Sequence, residues 1–278
     1  MNGAFAAIVF GLTSALVWGT GDFLGGLGSR RASVLSVLLI AESSGLILLL
    51  ALAWLWHEPI PTPAQMGWGV AAGIAGTLGL GALYVGLASS RASIVAPVSA
   101  VVGALLPAVY SILTIGLPDT TQQIGFALAI GAIILVSYSN QGVGELRALG
   151  MAILAGLGFG LYFIFIHQSG QDSTFFPLVF ARGISIPFLL VLVLWRKAVM
   201  PPRSVLPIVI ASGLFDVGGN VFFVLSSQVG RLDVATILAS LYPATTVILS
   251  RIVLHEHITR LQASGVFLAL AAIVLIAL

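Results

Sequence analysis

Residues 33–56 read SVLSVLLIAESSGLILLLALAWLW, and residues 174–195 read TFFPLVFARGISIPFLLVLVLW. Each is a continuous apolar run, and about 20 such residues suffice to cross a bilayer as a helix. Each carries one ionisable residue near its middle, Glu42 in the first and Arg182 in the second, and these two lie 140 positions apart. The pair of segments therefore predicts a chain that spans a membrane, does so repeatedly, and is built as a duplicated unit.

The rest of the sequence extends that pattern in both directions. Of 278 residues, 59% are hydrophobic and 7% are charged, against roughly 25% charged in a soluble domain. Mean hydropathy is +1.14. Apolar runs occupy residues 4–27, 33–56, 66–88, 93–116 and 121–140, then 148–167, 174–195, 205–228, 232–254 and 259–278. The expected fold is an all-α integral membrane protein of about ten transmembrane helices, with connectors too short to fold alone. Spans inside lipid must satisfy their own backbone, which selects helices, and the alternating segments of a β-barrel are missing.

Composition removes other classes. The chain has no cysteine, hence no disulfide framework and no thiolate chemistry. A net charge of +2 is too small to draw nucleic acid, whatever the pI. The opening MNGAFAAIVF carries no basic stretch before its apolar run and reads as the first span. No metal-ligand spacing stands out: His255-Glu256-His257 is not HExxH, and His57 and His167 sit at span ends. No cofactor is expected. The expected setting is a multi-pass protein of the cell (inner or plasma) membrane, with the lipid bilayer around it and a monomer or homodimer as its assembly.

Sliding the chain by 140 residues superimposes residues 1–140 on 141–278. Ser33 then meets Ser173, Ala41 Ala181, Pro61 Pro201, Gly73 Gly213, Gly79 Gly219, Arg91 Arg231, Gln122 Gln262 and Gly125 Gly265. Five spans per half would turn the second half upside down relative to the first. Inverted repeats of this kind place a solute site between the halves near the midplane. Basic residues give an orientation. Arg30, Arg31, Arg91, Arg147, Arg196, Lys197, Arg203, Arg251 and Arg260 fall at odd-numbered connectors, and only Arg231 at an even one. The positive-inside rule puts the odd connectors in the cytoplasm and both termini outside.

An ionisable side chain inside a span costs about 2.5–3.5 kcal/mol on insertion scales, which makes it a functional candidate. Asp22, Glu42, Arg182 and Asp216 are such residues. Glu42 and Arg182 are expected to face one cavity, either paired with each other or holding opposite ends of a zwitterion. A purely structural ion pair is the competing account. Ser14, Trp18 and Asp22 recur every four residues and share one helix face, a candidate cavity wall. Asp216 and Asn220 form a second polar i, i+4 pair. Tyr84, Tyr162 and Tyr242 are candidate wall residues, although rings in spans also face lipid or neighbouring helices. Pro97, Pro107 and Pro243 interrupt helical hydrogen bonding and are candidate hinges, the alternative being ordinary kinks.

Specific residues then bring a family into view. Ser240-Leu241-Tyr242-Pro243, followed by Leu254-His255-Glu256-His257-Ile258-Thr259, Gln262 and Gly265, resembles the signature closing each repeat of the EamA family, within the drug/metabolite transporter superfamily. Trp18-Gly19, with Phe159-Gly160 as its degenerate partner, resembles the family's Trp-Gly start. The first half departs from the pattern, with Gly103 in place of Pro243 and Gly116 in place of Glu256. The resemblance implies ten helices, small-solute transport (often amino acids and other metabolites, commonly export) and cytoplasmic termini, the reverse of the charge count.

The expected function is a secondary transporter of a small-molecule solute, since no Walker A sequence is present. Protons acting through Asp22, Glu42 or Asp216 are the candidate coupling ion. Phosphorylated solutes would call for several buried cations, and Arg182 is alone at depth; a neutral or zwitterionic solute such as an amino acid suits the sequence better. The alternatives are a non-transporting scaffold or accessory subunit and, further off, an intramembrane enzyme, which would need a nucleophile and base that the sequence does not offer.

Overall fold

The computed structural model describes residues 3–88, 92–137, 146–253 and 260–277, and every element in them is helical. In order these are α1 (Gly3–Ser29), α2 (Val34–Trp56), α3 (Pro63–Ala88), α4 (Ala92–Ile115), α5 (Thr120–Ser137) and α6 (Leu146–Ser169), then α7 (Phe175–Trp195), α8 (Leu206–Val229), α9 (Leu232–Ala239), α10 (Tyr242–Val253) and α11 (Arg260–Ala277). Seven of the described helices are long and apolar enough to cross a membrane.

One apolar run is not one helix. Residues 232–254, expected as a single span with Pro243 inside it, form α9 and α10 separated by Ser240 and Leu241. Pro243 has no N–H for the carbonyl four residues back and would clash with it in a continuous helix. The chain closes α9 with tight bonds from the Ser240 N–H to Thr236 O (2.9 Å) and the Leu241 N–H to Leu238 O (3.2 Å). Proline then sits in the first turn of α10, where no intrahelical donor is required. Pro97 and Pro107, by contrast, both lie within α4, and Pro187 lies within α7.

The packing keeps its pattern when the two halves are exchanged. α1 lies along α8 as α6 lies along α3; α2 crosses α8 as α7 crosses α3; α10 meets α1 as α4 meets α6; and the pairs α2–α7 and α5–α11 map onto themselves. The small residues that repeat at 140 positions are the crossing points. A Cβ on Gly73 would strike the Ala181 carbonyl, and one on Gly213 would strike the Ala41 carbonyl. Gly79 lies against the Phe159 ring and Gly219 against the Trp18 ring. In lipid, where burial of apolar surface does not drive helices together, such close backbone approach is a main source of adhesion.

Side-chain hydroxyls bind α1 along its length. Ser226 Oγ donates to Ala7 O (2.7 Å), Ser14 Oγ to Gly219 O (2.8 Å) and Ser212 Oγ to Gly21 O (2.9 Å), while Thr246 Oγ1 donates to Gly19 O (3.0 Å). The outer surface is apolar: Ile47, Leu113, Val191 and Phe267 are among its exposed side chains. Exposed Trp54, Trp56 and Trp195 stand at helix ends, as expected of rings placed at the lipid headgroups.

Candidate functional site

Between the halves lies a cavity of about 730 Å³ of empty space, open at its mouth, walled by α1, α2 and α3 from one half and α6, α7, α8 and α10 from the other. Local sequence explains the arrangement. Gly19 lets the start of α10 press against α1, since a Cβ there would meet the Tyr242 carbonyl and Thr245. That contact turns Trp18 and Asp22, one turn apart on α1, toward the interior. Gly73 and Gly76 remove side chains from the facing stretch of α3, and the lining there is small.

The polar floor is a single bonded chain. Arg182 donates through Nη1 to Glu42 Oε2 at 2.8 Å and through Nη2 to Asp216 Oδ2. Glu42 also accepts a hydrogen bond from Ser185 Oγ. Asn220 Nδ2 donates to Asp216 Oδ2 at 3.0 Å and to the Asp216 carbonyl at 2.6 Å. The Tyr162 hydroxyl donates to Asn220 Oδ1. Glu42 and Arg182 are buried, each 7% exposed, while the Asp216 side chain is 21% exposed toward the cavity. A buried guanidinium needs such partners, because removing an ion from water costs several kcal/mol that only well-placed counter-charges recover.

Aromatic rings make the remaining wall. Trp18 stacks on Phe223 at 5.8 Å and tilts against Phe163 at 5.7 Å, and Phe163 meets Tyr162 edge-on at 5.9 Å. Tyr242 lines the cavity with its hydroxyl 3.4 Å from Ser99 Oγ.

Of the residues singled out in the sequence, Trp18, Asp22, Glu42, Tyr162, Arg182, Asp216, Asn220 and Tyr242 all reach this cavity. Ser14 and Tyr84 do not line it. Ser14 is fully buried in its bond to Gly219 O, and Tyr84, 2% exposed, has its hydroxyl wedged between Gly25 and Ser212. His255, Glu256 and His257 lie outside the described residues. The sequence reading missed that Arg182 holds two carboxylates rather than one. It also missed Ser185, Thr77 and Phe163, none of which differs in type from dozens of other residues in the spans.

A second polar network sits at one end of the bundle and ties the halves together. Glu58, between α2 and α3, accepts the N–H groups of Thr174 and Phe175, both at 2.8 Å, and the Ser173 hydroxyl. These are the free donors at the start of α7, whose own N-cap residue Thr174 makes no side-chain cap. Gln65 Nε2 donates to Asp172 Oδ2 at 2.8 Å, and Ser169 Oγ to the Gln65 carbonyl at 2.7 Å. Arg231 bridges Asp233 Oδ2 (2.8 Å) and the Gly116 carbonyl (3.0 Å). The hydrogen bond from Asp233 pushes the Arg231 pKa up further from its already high value.

A family model described as EamA-like transporter family matches residues 5–138 and again 146–278. A search of curated proteins finds no match. Among solved structures, one titled only as a crystal structure of a protein superposes with a TM-score of 0.79 over 98% of each chain, at 16% identity. At that identity the likeness concerns the fold alone.

Proposed function

The chain belongs to the EamA-like transporter family, and on that premise we propose that it is a secondary transporter carrying a small metabolite through the cavity between its halves. Family members are transporters rather than enzymes. The observation that carries the reading here is the ion cluster of Glu42, Arg182 and Asp216, held at mid-membrane depth against an aromatic wall. A scaffold has no use for a cavity with ionised residues at its floor, and such residues are expensive to keep in lipid.

The proposed topology has ten crossings: the seven evident spans, α5 and α11, and the broken pair α9–α10. Five per half make the repeats inverted, consistent with a packing pattern that survives their exchange. On the charge count, connectors rich in arginine face the cytoplasm and the Glu58 network closes the outer end. Alternating access then requires that network to open, releasing solute outward in the export direction. The proposed solute is neutral or zwitterionic overall, such as an amino acid, with protons as the coupling ion and a cell membrane as the setting.

Counterflow in proteoliposomes tests the reading. Purified protein is expected to exchange at least one radiolabelled amino acid or related metabolite across the bilayer, and Arg182→Ala to abolish that exchange. A folded wild-type protein that moves no solute from a broad panel refutes it.

A further inference from the structure

Resting on that transport reading, the cavity's charge balance narrows the solute. Four ionisable groups of fixed sign line it: the carboxylates Asp22, Glu42 and Asp216 and the single guanidinium of Arg182. Arg182 spends both terminal nitrogens on Glu42 and Asp216. The pair account, not the zwitterion clamp, therefore describes Arg182, and the guanidinium is committed before any solute arrives. Asp22 is different. Among the described residues it makes no hydrogen bond and no ion pair, yet it faces the cavity in the middle of the bundle. The nearest charged group that bears on it is another acid, Asp216.

We infer that Asp22 is the anchor for a cationic ammonium group of the solute, with Trp18 and Tyr162 receiving the solute's apolar portion. The cavity thus selects ammonium-bearing solutes, free amines and amino acids alike, and discriminates against anions. Three observations converge on this assignment. The cavity holds three acids to one base, so a cation restores the balance and an anion worsens it. Asp22 is the one acid of the three without a partner. Trp18 lies one helical turn from Asp22, and an aromatic face beside a carboxylate favours a cation that carries hydrocarbon.

The same carboxylate takes a proton when no ammonium is present, because an unpartnered ion in a low-dielectric cavity is costly. Proton and ammonium therefore compete for one seat, and exchange between them follows from single occupancy. The groups that face Asp22 are Asp216 on α8, Tyr84 on α3 and Tyr242 on α10. Glu42 on α2 and Arg182 on α7 stand on the same cavity; α9 contributes no lining residue. None of these neighbours supplies a free positive charge.

The test measures binding to the full-length protein in detergent by calorimetry, with three probes of one shape: phenethylamine, phenylalanine and 3-phenylpropionate. Phenethylamine and phenylalanine are expected to bind, and phenylpropionate to bind at least about tenfold more weakly. Acidification should weaken phenethylamine binding in the wild type. Asp22→Asn should lower its affinity by about tenfold or more and remove the pH dependence, and Asp22→Glu should restore both. No binding of phenethylamine, equal binding of phenylpropionate, or an Asp22→Asn protein that binds as the wild type overturns the assignment. The probe ranking and the pH profile use the wild type alone, so a poorly folding variant does not blunt the test. Phenethylamine binding without counterflow would refute transport while leaving the site standing; counterflow indifferent to Asp22→Asn would do the reverse.

Discussion

Removing the Glu58 carboxylate should loosen the outer end of the bundle by a measurable and local amount. In the structure that one group accepts two N–H bonds of 2.8 Å, a third at 3.4 Å and a hydroxyl bond, all at the start of α7. A hydrogen bond to a charged acceptor contributes about 1.5–3 kcal/mol, and a carboxylate at a helix N-terminus adds about 0.3–1 kcal/mol. Glu58 is only partly buried, so water recovers much of this when the side chain is cut away. A net loss of about 1.5–3 kcal/mol for Glu58→Ala is expected. Glu58→Gln keeps the acceptor geometry without the charge and should lose about half as much. Hydrogen–deuterium exchange reads the effect where it acts: the amides of Thr174, Phe175 and Phe176 should exchange about tenfold faster or more in Glu58→Ala, since about 1.4 kcal/mol is a factor of ten. Glu58→Gln should fall between. Exchange rates at those amides that match the wild type would show that Glu58 does not hold α7, and the closing role would fall with it.

Further outcomes follow from the same structure. Arg182→Met leaves Glu42 and Asp216 buried without their counter-charge and should destabilise the protein by about 3–5 kcal/mol, seen as a lowered Tm; combining it with Glu42→Gln and Asp216→Asn should recover much of the loss. Gly73→Ala and Gly213→Ala should each lower the Tm, by about 1–3 kcal/mol of overpacking, because their Cβ atoms meet the Ala181 and Ala41 carbonyls. Gly26→Ala and Gly183→Ala, whose Cβ atoms meet nothing within 4 Å, should be neutral or gain up to about 1 kcal/mol in helix propensity. A reporter fused to the C-terminus should read outside the cytoplasm if the arginine-rich connectors face inward; a cytoplasmic signal would reverse the proposed direction of the Glu58 network.

The physical account of the repeat changes once helices are seen to cross. Matches at 140 positions were visible in sequence as scattered glycines and alanines, with no indication of what they share. Gly73 and Ala181, and in exchange Gly213 and Ala41, turn out to be two faces of the same contact. The Trp-Gly start likewise divides its labour: Gly19 admits α10, and Trp18 builds the aromatic wall. Pro243 was readable as an interruption, but whether the chain would kink or stop depended on the turn at Ser240 and Leu241.

By itself the sequence determined that this protein lives in a bilayer, that its elements are helices, and that it is duplicated, because hydropathy and repeat spacing are properties of the chain alone. It also marked eight of the residues that meet at the cavity, since polar groups in lipid are rare enough to stand out. Partnership belonged to the tertiary structure. Arg182 could have faced Glu42, a solute or both, and only the approach of α8 behind α7 gave it Asp216 as a second acid. Ser14, Tyr84 and Asp22 were indistinguishable as cavity candidates until helix rotation buried the first two in bonds and contacts and left Asp22 with none. Which charges remain unpaired depends on distances across helices, and those distances are fixed only when the halves close on one another.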